Sequence, residues 1–231
     1  MIDAIDRPSP NFEERTLPVT MLVLHYTGMP DAQSAIERLC DPEAKVSAHY
    51  VVDEDGTVLR MVPEKKRAWH AGRAYWRGIT DVNSASVGVE IVNPGHEFGY
   101  RPFPEEQMDA VCRLVADVRS RHRIPRANVV GHSDVAPARK QDPGELFDWA
   151  RLAKLRQALP RPIKNLVDPL WDDSSFLLAL ERFGYDVRDA EAAVAAFQRR
   201  FRPEHIDGMI DGECRAMLLS LLLDHERRNA T

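Results

Sequence analysis

Three titratable residues sit in or at the ends of strands that otherwise read as buried. His25 closes the apolar run Met-Leu-Val-Leu, Glu90 lies inside Val-Gly-Val-Glu-Ile-Val, and His132 follows Asn-Val-Val-Gly. Asp142 comes ten residues after His132, in the loop Ala-Arg-Lys-Gln-Asp-Pro-Gly. A histidine beside a strand is more often a structural hydrogen-bonding residue than a ligand. A carboxylate inside a strand is different, because burying its charge without a partner costs several kcal/mol and calls for a cation, a metal or a proton. His, His and Asp together form a ligand set that a hydrolytic metal accepts. The spacing matches no compact signature such as HExxH, so the chemistry permits such a site without demanding it.

The elements that must position these residues are legible from pattern. Met21 to His25, His49 to Val52, Thr57 to Val62, Val87 to Val92 and Val129 to Gly131 read as strands, and Asp53-Glu-Asp-Gly56 as the turn pairing the second with the third. Helices are expected at Asp31 to Leu39, capped by Asp31, and at Pro104 to Arg121, with Pro104 in the first helical position. Met108, Val111, Val115 and Val118 give that second helix its sheet-facing stripe, and a further helix is expected from Glu145 to Leu159. The fold class is therefore α/β, a mixed central sheet flanked by helices.

A segment with three prolines between Pro160 and Pro169 reads as a linker and divides the chain into residues 1–164 and 165–231. After it come three short helices, Ser175 to Phe183, Asp189 to Phe201 and Asp211 to about Arg227, a small all-α module. Ala190, Val194, Phe197 and Phe201 share one helix face, which is core.

Composition narrows the function classes. Of the 231 residues 44% are hydrophobic and 29% charged, and no apolar run approaches the roughly 18 residues of a membrane span. Acidic side chains slightly outnumber basic ones on both sides of the linker, against a nucleic-acid partner. Cys40, Cys112 and Cys214 form no CxxC pair, and Met1 to Thr20 has no apolar run of a secretory signal. Both cues point to the cytoplasm, with the periplasm as the alternative if a signal is removed from the native chain.

Six phrases carry a resemblance: Leu-Val-Leu-His25-Tyr-Thr-Gly28, Ser47-Ala-His-Tyr-Val-Val-Asp-Glu-Asp-Gly56, Arg67-Ala-Trp-His-Ala-Gly72, Ser86-Val-Gly-Val-Glu-Ile-Val-Asn93, Val130-Gly-His-Ser-Asp-Val-Ala-Pro137 and Arg139-Lys-Gln-Asp-Pro-Gly144. Together they resemble the zinc-dependent N-acetylmuramoyl-L-alanine amidases of the type 2 family, over roughly residues 20 to 158. The resemblance implies Zn2+ on His25, His132 and Asp142, Glu90 as the catalytic carboxylate and Lys140 as the cation that stabilises the oxyanion. Three protein ligands leave a position open, as a hydrolytic zinc requires. Phage-type members and many recognition proteins carry Tyr before the histidine of the second phrase, where this chain has Ala48. That feature, with the carboxylate at 90, is similar to the recycling and lipoprotein-amidase branch.

Further positions are open to two readings. His49 either contacts substrate or supports a ligand by hydrogen bonding. Trp69 and His70 fall near the cleft in this family and are expected to touch substrate. Asn93 contacts glycan or peptide, or else ends its strand in a turn before Pro94. Tyr26, Trp76 and Arg139 are candidates by proximity, whereas His96, His122, His205 and His225 lack motif context and read as surface residues.

The C-terminal segment is similar to the three-helix peptidoglycan-binding module, through Leu-Glu-Arg-Phe-Gly-Tyr185, Ala193-Val-Ala-Ala-Phe-Gln and Ile206-Asp-Gly-Met-Ile-Asp-Gly212. It either binds the wall or packs on the first domain. The expected substrates are peptidoglycan fragments, anhydro-muropeptides, cleaved between the muramic lactyl group and L-alanine in recycling. The alternatives are remodelling of intact peptidoglycan in the periplasm, or a non-catalytic muropeptide sensor.

Overall fold

The computed structural model describes residues 2–164 and 166–229. Its strands are β1 (Ile5–Asp6), β2 (Phe12–Glu14), β3 (Met21–Tyr26), β4 (Tyr50–Val52), β5 (Val58–Arg60), β6 (Lys66–Ala68), β7 (Ser86–Ile91) and β8 (Val129–Gly131). The helices are α1 (Ala32–Cys40), α2 (Val82–Ala85), α3 (Gly95–Phe98), α4 (Glu105–His122), α5 (His132–Val135), α6 (Trp149–Lys154), α7 (Asp173–Phe183), α8 (Ala190–Phe201) and α9 (Gly212–Asn229).

A six-stranded sheet in the order β1-β5-β4-β7-β3-β8 forms the centre, with β2 and β6 pairing separately. Only β4 and β5 run antiparallel in it, as the Asp53–Gly56 turn requires; the other neighbours are parallel, so the sheet is mixed as expected. Strand alternation sorts the side chains. Leu22, Leu24, Val87, Val89 and Ile91 face Met108, Val111, Leu114, Val115 and Val118 of α4. Met21 and Val23 face the other way, into a cluster with Phe176, Leu180, Tyr185, Val194, Phe197 and Leu218 of the C-terminal helices. The helical module thus shares a continuous apolar core with one face of the sheet.

That second face carries the chemistry. The parallel register aligns Met21 with Ser86, Val23 with Gly88 and His25 with Glu90. On β7 this face therefore reads Ser-Gly-Glu, and the space left by the first two residues admits the rings of His70 and His49. A Cβ built on Gly88 would lie 2.4 Å from the His70 ring, so only glycine fits there.

Several expected boundaries move for identifiable reasons. Asp31 caps α1 through Ser34 N at 2.7 Å. Pro104, by contrast, has extended ψ and stands before α4 rather than in its first turn. The helix expected from Glu145 is confined to Trp149–Lys154. Asp148 caps it by accepting from Arg151 N at 2.9 Å, while Glu145 is drawn to His96 and Phe147 packs on Phe103 and Trp149. Arg156, with φ 58°, ends it. The strands β1, β2 and β6 were not expected from the sequence.

Candidate active site

The site forms at the carboxyl ends of the parallel strands, where open α/β sheets gather their ligands. His25 is the penultimate residue of β3, Glu90 the penultimate residue of β7, and His132 follows β8 directly as the first residue of α5. The Asp142 loop is tied to α5 by Ser133 N donating to Asp142 O at 2.9 Å. A cleft of about 450 Å³ opens over these residues, lined also by Tyr26, Trp69, His70, His96, Arg139 and Lys140.

His25 Nδ1 and His132 Nδ1 lie 2.9 Å apart, and Asp142 Oδ2 lies 3.0 Å from each. The protons around them can be placed from their partners. Ser86 Oγ donates to Val82 O at 2.6 Å, which leaves it to accept from His70 Nε2 at 3.2 Å. His70 Nδ1 is then a lone pair and accepts from His25 Nε2–H at 3.0 Å. His132 Nε2 faces the Ala71 carbonyl at 3.1 Å, which only accepts, so it too carries the proton. In its neutral form each ring therefore turns a bare Nδ1 lone pair toward a carboxylate oxygen.

Three electron pairs converge with no hydrogen among them, an arrangement that repels unless a cation joins it. The group is the His/Cys/Asp/Glu cluster with metal-holding geometry found among the described residues. A tetrahedral ion with ligands at about 2.0–2.1 Å has ligand–ligand edges of about 3.3 Å, close to the triangle observed. All three side chains are buried. Burial, followed by the neighbouring His132, pushes His25 down to about 4, so its ring is neutral at pH 7.

Glu90 stands on the same face, opposite His25 in register. It lines the cleft, and its Oε2 is buried with no hydrogen-bond partner. Burial, and then the Asp142 charge, push its carboxyl well above the ordinary range against the opposing pull of Lys140. Lys140 lines the cleft from the loop after α5, and no hydrogen bond or ion pair occupies its ammonium among the described residues.

The other candidates separate. Tyr26 and Trp69 line the cleft, the first with its hydroxyl 3.0 Å from His96 Nδ1. His70 is buried behind His25 with both ring nitrogens engaged, so it serves the ligand from behind while its ring edges the cleft. His49 is fully buried: Nδ1 accepts from Gly88 N–H at 2.9 Å, and Nε2 meets Lys66 O at 3.1 Å. No face of it remains for substrate, and the supporting reading is the one its position accommodates.

Asn93 is likewise buried, its amide donating to Arg101 O at 2.7 Å and its Oδ1 accepting from Gly95 N at 3.0 Å; it closes the turn after β7. Arg139 lines the cleft, but its Nη2 bonds the carbonyls of Ala71 and Arg73 and so clips the loop that orients His132. Trp76 lies in the core against Tyr185, away from the cleft.

His96 is exposed at the surface, as expected, and from there it also lines the cleft. It is stacked on Tyr100 at 4.3 Å and held by Glu145 at 3.1 Å. No local pattern signals it, because its partners come from β3 and from the loop before α6. His205 is exposed beside Asp207, His122 pairs with Glu64 on the far side of α4, and the His225 side chain lies outside the described residues.

Comparison with known proteins follows the same lines. The family described as N-acetylmuramoyl-L-alanine amidase matches residues 15–145. The N-acetylmuramoyl-L-alanine amidase AmiD of Escherichia coli is 36% identical over 88% of this chain and 82% of its own length. The 1,6-anhydro-N-acetylmuramyl-L-alanine amidase AmpD of the same organism is 34% identical over 64% of this chain and 89% of its own. The AmiD structure, a complex with the substrate anhydro-N-acetylmuramic acid-L-Ala-D-γ-Glu-L-Lys, superposes with a TM-score of 0.81 at 33% identity, covering 95% of this chain and 93% of that one. AmpDh3 of Pseudomonas aeruginosa, in complex with an anhydromuramic pentapeptide, superposes with a TM-score of 0.82 at 28% identity, covering 95% and 96%. With the family match spanning more than half of the chain and a relative 36% identical aligned along 88% of it, this protein belongs to the N-acetylmuramoyl-L-alanine amidase family, and it is an amide hydrolase of that type.

Proposed function

We propose that this chain hydrolyses the amide between the lactyl group of N-acetylmuramic acid, in its 1,6-anhydro form, and L-alanine, with zinc held by His25, His132 and Asp142. The observation that carries the reading is the triangle of two histidine lone pairs and a carboxylate oxygen, with sides of 2.9 to 3.0 Å, beneath a cleft that also holds Glu90 and Lys140. A donor set of two imidazoles and one carboxylate suits zinc. Bound there, zinc supplies Lewis acidity that activates water near neutral pH.

The chain's own groups do the rest. Glu90 keeps one oxygen toward the cleft and, with its carboxyl held above the usual range, is suited both to take a proton from the attacking water and to return it to the departing nitrogen. Lys140 offers an unpaired ammonium to the oxygen that becomes negative. His70 and the Ala71 carbonyl fix the ligand rings in the tautomer that leaves Nδ1 free. Tyr26, Trp69 and His96 offer aromatic and polar surface for the sugar and the first residues of the peptide.

The anhydro preference is supported by the anhydro-muramyl peptides bound to AmiD and AmpDh3. A cytoplasmic setting, where such soluble fragments are recycled, accords with three cysteines that form no disulfide. No helix among the described residues is long and apolar enough to cross a membrane.

The test is release of L-alanine-headed peptide by the purified chain, from anhydro-muropeptide and from intact sacculi in parallel, with and without chelator. Chelator-sensitive release from the fragment is the expected result. Comparable release from sacculi would replace recycling with wall remodelling, and binding without release from either would leave a muropeptide sensor.

A further inference from the structure

We propose that the C-terminal helical module is a positioning device for the metal site, in which Tyr185 and Arg200 hold, through Asp134, the turn that presents His132. This rests on the reading of His25, His132 and Asp142 as zinc ligands.

The four-residue helix α5 is too short to fix its own geometry; it has a single turn and an N-terminus at Gly131. What holds it is Asp134. Its Oδ2 accepts from Gly131 N at 2.7 Å, closing the turn across His132. Its Oδ1 accepts from the hydroxyl of Tyr185 at 2.6 Å, a residue 51 positions further on and just past α7. The Arg200 guanidinium of α8 approaches Oδ2 at 4.0 Å while stacking 3.2 Å over the Trp149 ring. Asp134 is 1% exposed, Tyr185 0% and Arg200 8%, so these contacts are made out of water, where geometry is held tightly. Arg200 leaves its Nη1 buried without a partner, an arrangement that does not serve the stability of α8 itself.

A second route from the module ends at the same ligand. Arg77 donates to the carbonyls of Gly184 at 3.1 Å and Phe183 at 2.9 Å, and Trp76 packs edge-on against Tyr185 at 5.2 Å. The loop carrying these residues, which follows β6, includes Ala71, whose carbonyl orients His132 through Nε2, and Tyr75 N in the same loop donates to Val135 O at 2.8 Å. Backbone on one side of His132 and ring partner on the other are thus both fastened to the helices after the linker. Polymer binding alone would require neither contact.

Tyr185→Phe deletes one hydroxyl and keeps the ring among Trp76, Phe183 and Phe197, so the variant retains its packing. The full-length protein is stripped of metal and titrated with zinc against a chromogenic chelator, at a temperature well below the unfolding transition of the metal-free form. Tyr185→Phe should bind zinc about 10-fold more weakly, the low end for groups acting behind a ligand. Leu218→Val in α9, which lies in the same core and has no hydrogen bond or ion pair to Asp134, should keep wild-type affinity even where its thermal transition falls further. A Tyr185→Phe affinity within about twofold of wild type, or an equal loss in Leu218→Val, overturns the inference. If the wild-type chain takes up no zinc in the same titration, the ligand assignment itself is refuted, a result distinct from either of those.

Discussion

Replacing Glu90 with glutamine should remove turnover while making the metal-free protein more stable at neutral pH. The exchange keeps shape and removes charge. Its size follows from the two oxygens: one faces the cleft and stays near water, and Oε2 is buried with no partner. Leaving a buried polar atom unpaired costs about 1–3 kcal/mol, of which the amide recovers the charged part. A gain of about 1–2 kcal/mol corresponds to a rise of about 2–8 °C in the transition of a chain this long. The sign with pH is fixed by the direction of the shift. A carboxyl raised on folding stabilises the native state fully below its unfolded pKa of about 4.3, and that stabilisation is lost as pH rises through the folded value. The advantage of Glu90→Gln over wild type should therefore be largest near pH 8 and vanish toward pH 4. Loss of a general base costs about 10²- to 10⁴-fold in kcat, or about 2.7–5.4 kcal/mol of barrier. Scanning calorimetry of the metal-free proteins at both pH values, with peptide release from anhydro-muropeptide, measures both effects. A variant within tenfold of wild-type kcat would refute the base assignment, and a destabilised variant at pH 8 would refute the burial argument.

Lys140→Met should keep zinc and lower kcat by about 10²- to 10³-fold with little change in KM, as expected for a cation felt only by developing charge; steady-state kinetics with a metal assay decide it. Ser86→Ala removes the acceptor behind His70 Nε2, freeing the ring to exchange tautomers. Zinc affinity should fall by about 10-fold while KM holds, and unchanged affinity would show that the Ser86–His70 link does not fix the ligand.

The parts of the fold that could be read in advance were those whose signal is local. β3, β7 and β8 are short buried runs, and the polar residues that interrupt or end them are the residues at the head of the cleft. β1 and β2 are exposed along their whole length and β6 is a Lys-Arg-Ala run with no apolar alternation, so the pairing of all three is imposed by tertiary partners rather than by pattern. Among these is the arm carrying Arg15. Its guanidinium bonds the carbonyls of Glu64, Lys66, Asn83 and Ser86 and so braces the start of β7, a role no composition rule would assign to an arginine near the N-terminus.

The residue types around the site were legible, but their roles were not, and histidine shows why. His25, His49 and His70 all lie in recognisable phrases, yet one turns a lone pair into the metal triangle, one is sealed on the same face of the sheet between two backbone partners, and one stands between. What separates them is the direction of each N–H, and that is set by groups far off in sequence. His70 lies 45 residues from His25 and 16 before Ser86, and the chain of bonds ends on the Val82 carbonyl. The chain exists because β7 carries Ser86 and Gly88 on the site face, leaving room for an imidazole where a valine would close it. A larger residue at 88 would drive out the His70 ring and with it the partner of His25 Nε2, while every ligand remained in the sequence. The ligand set can therefore be read from residue identity, but the readiness of that set to bind a cation depends on two small residues and two carbonyls that carry no chemistry of their own.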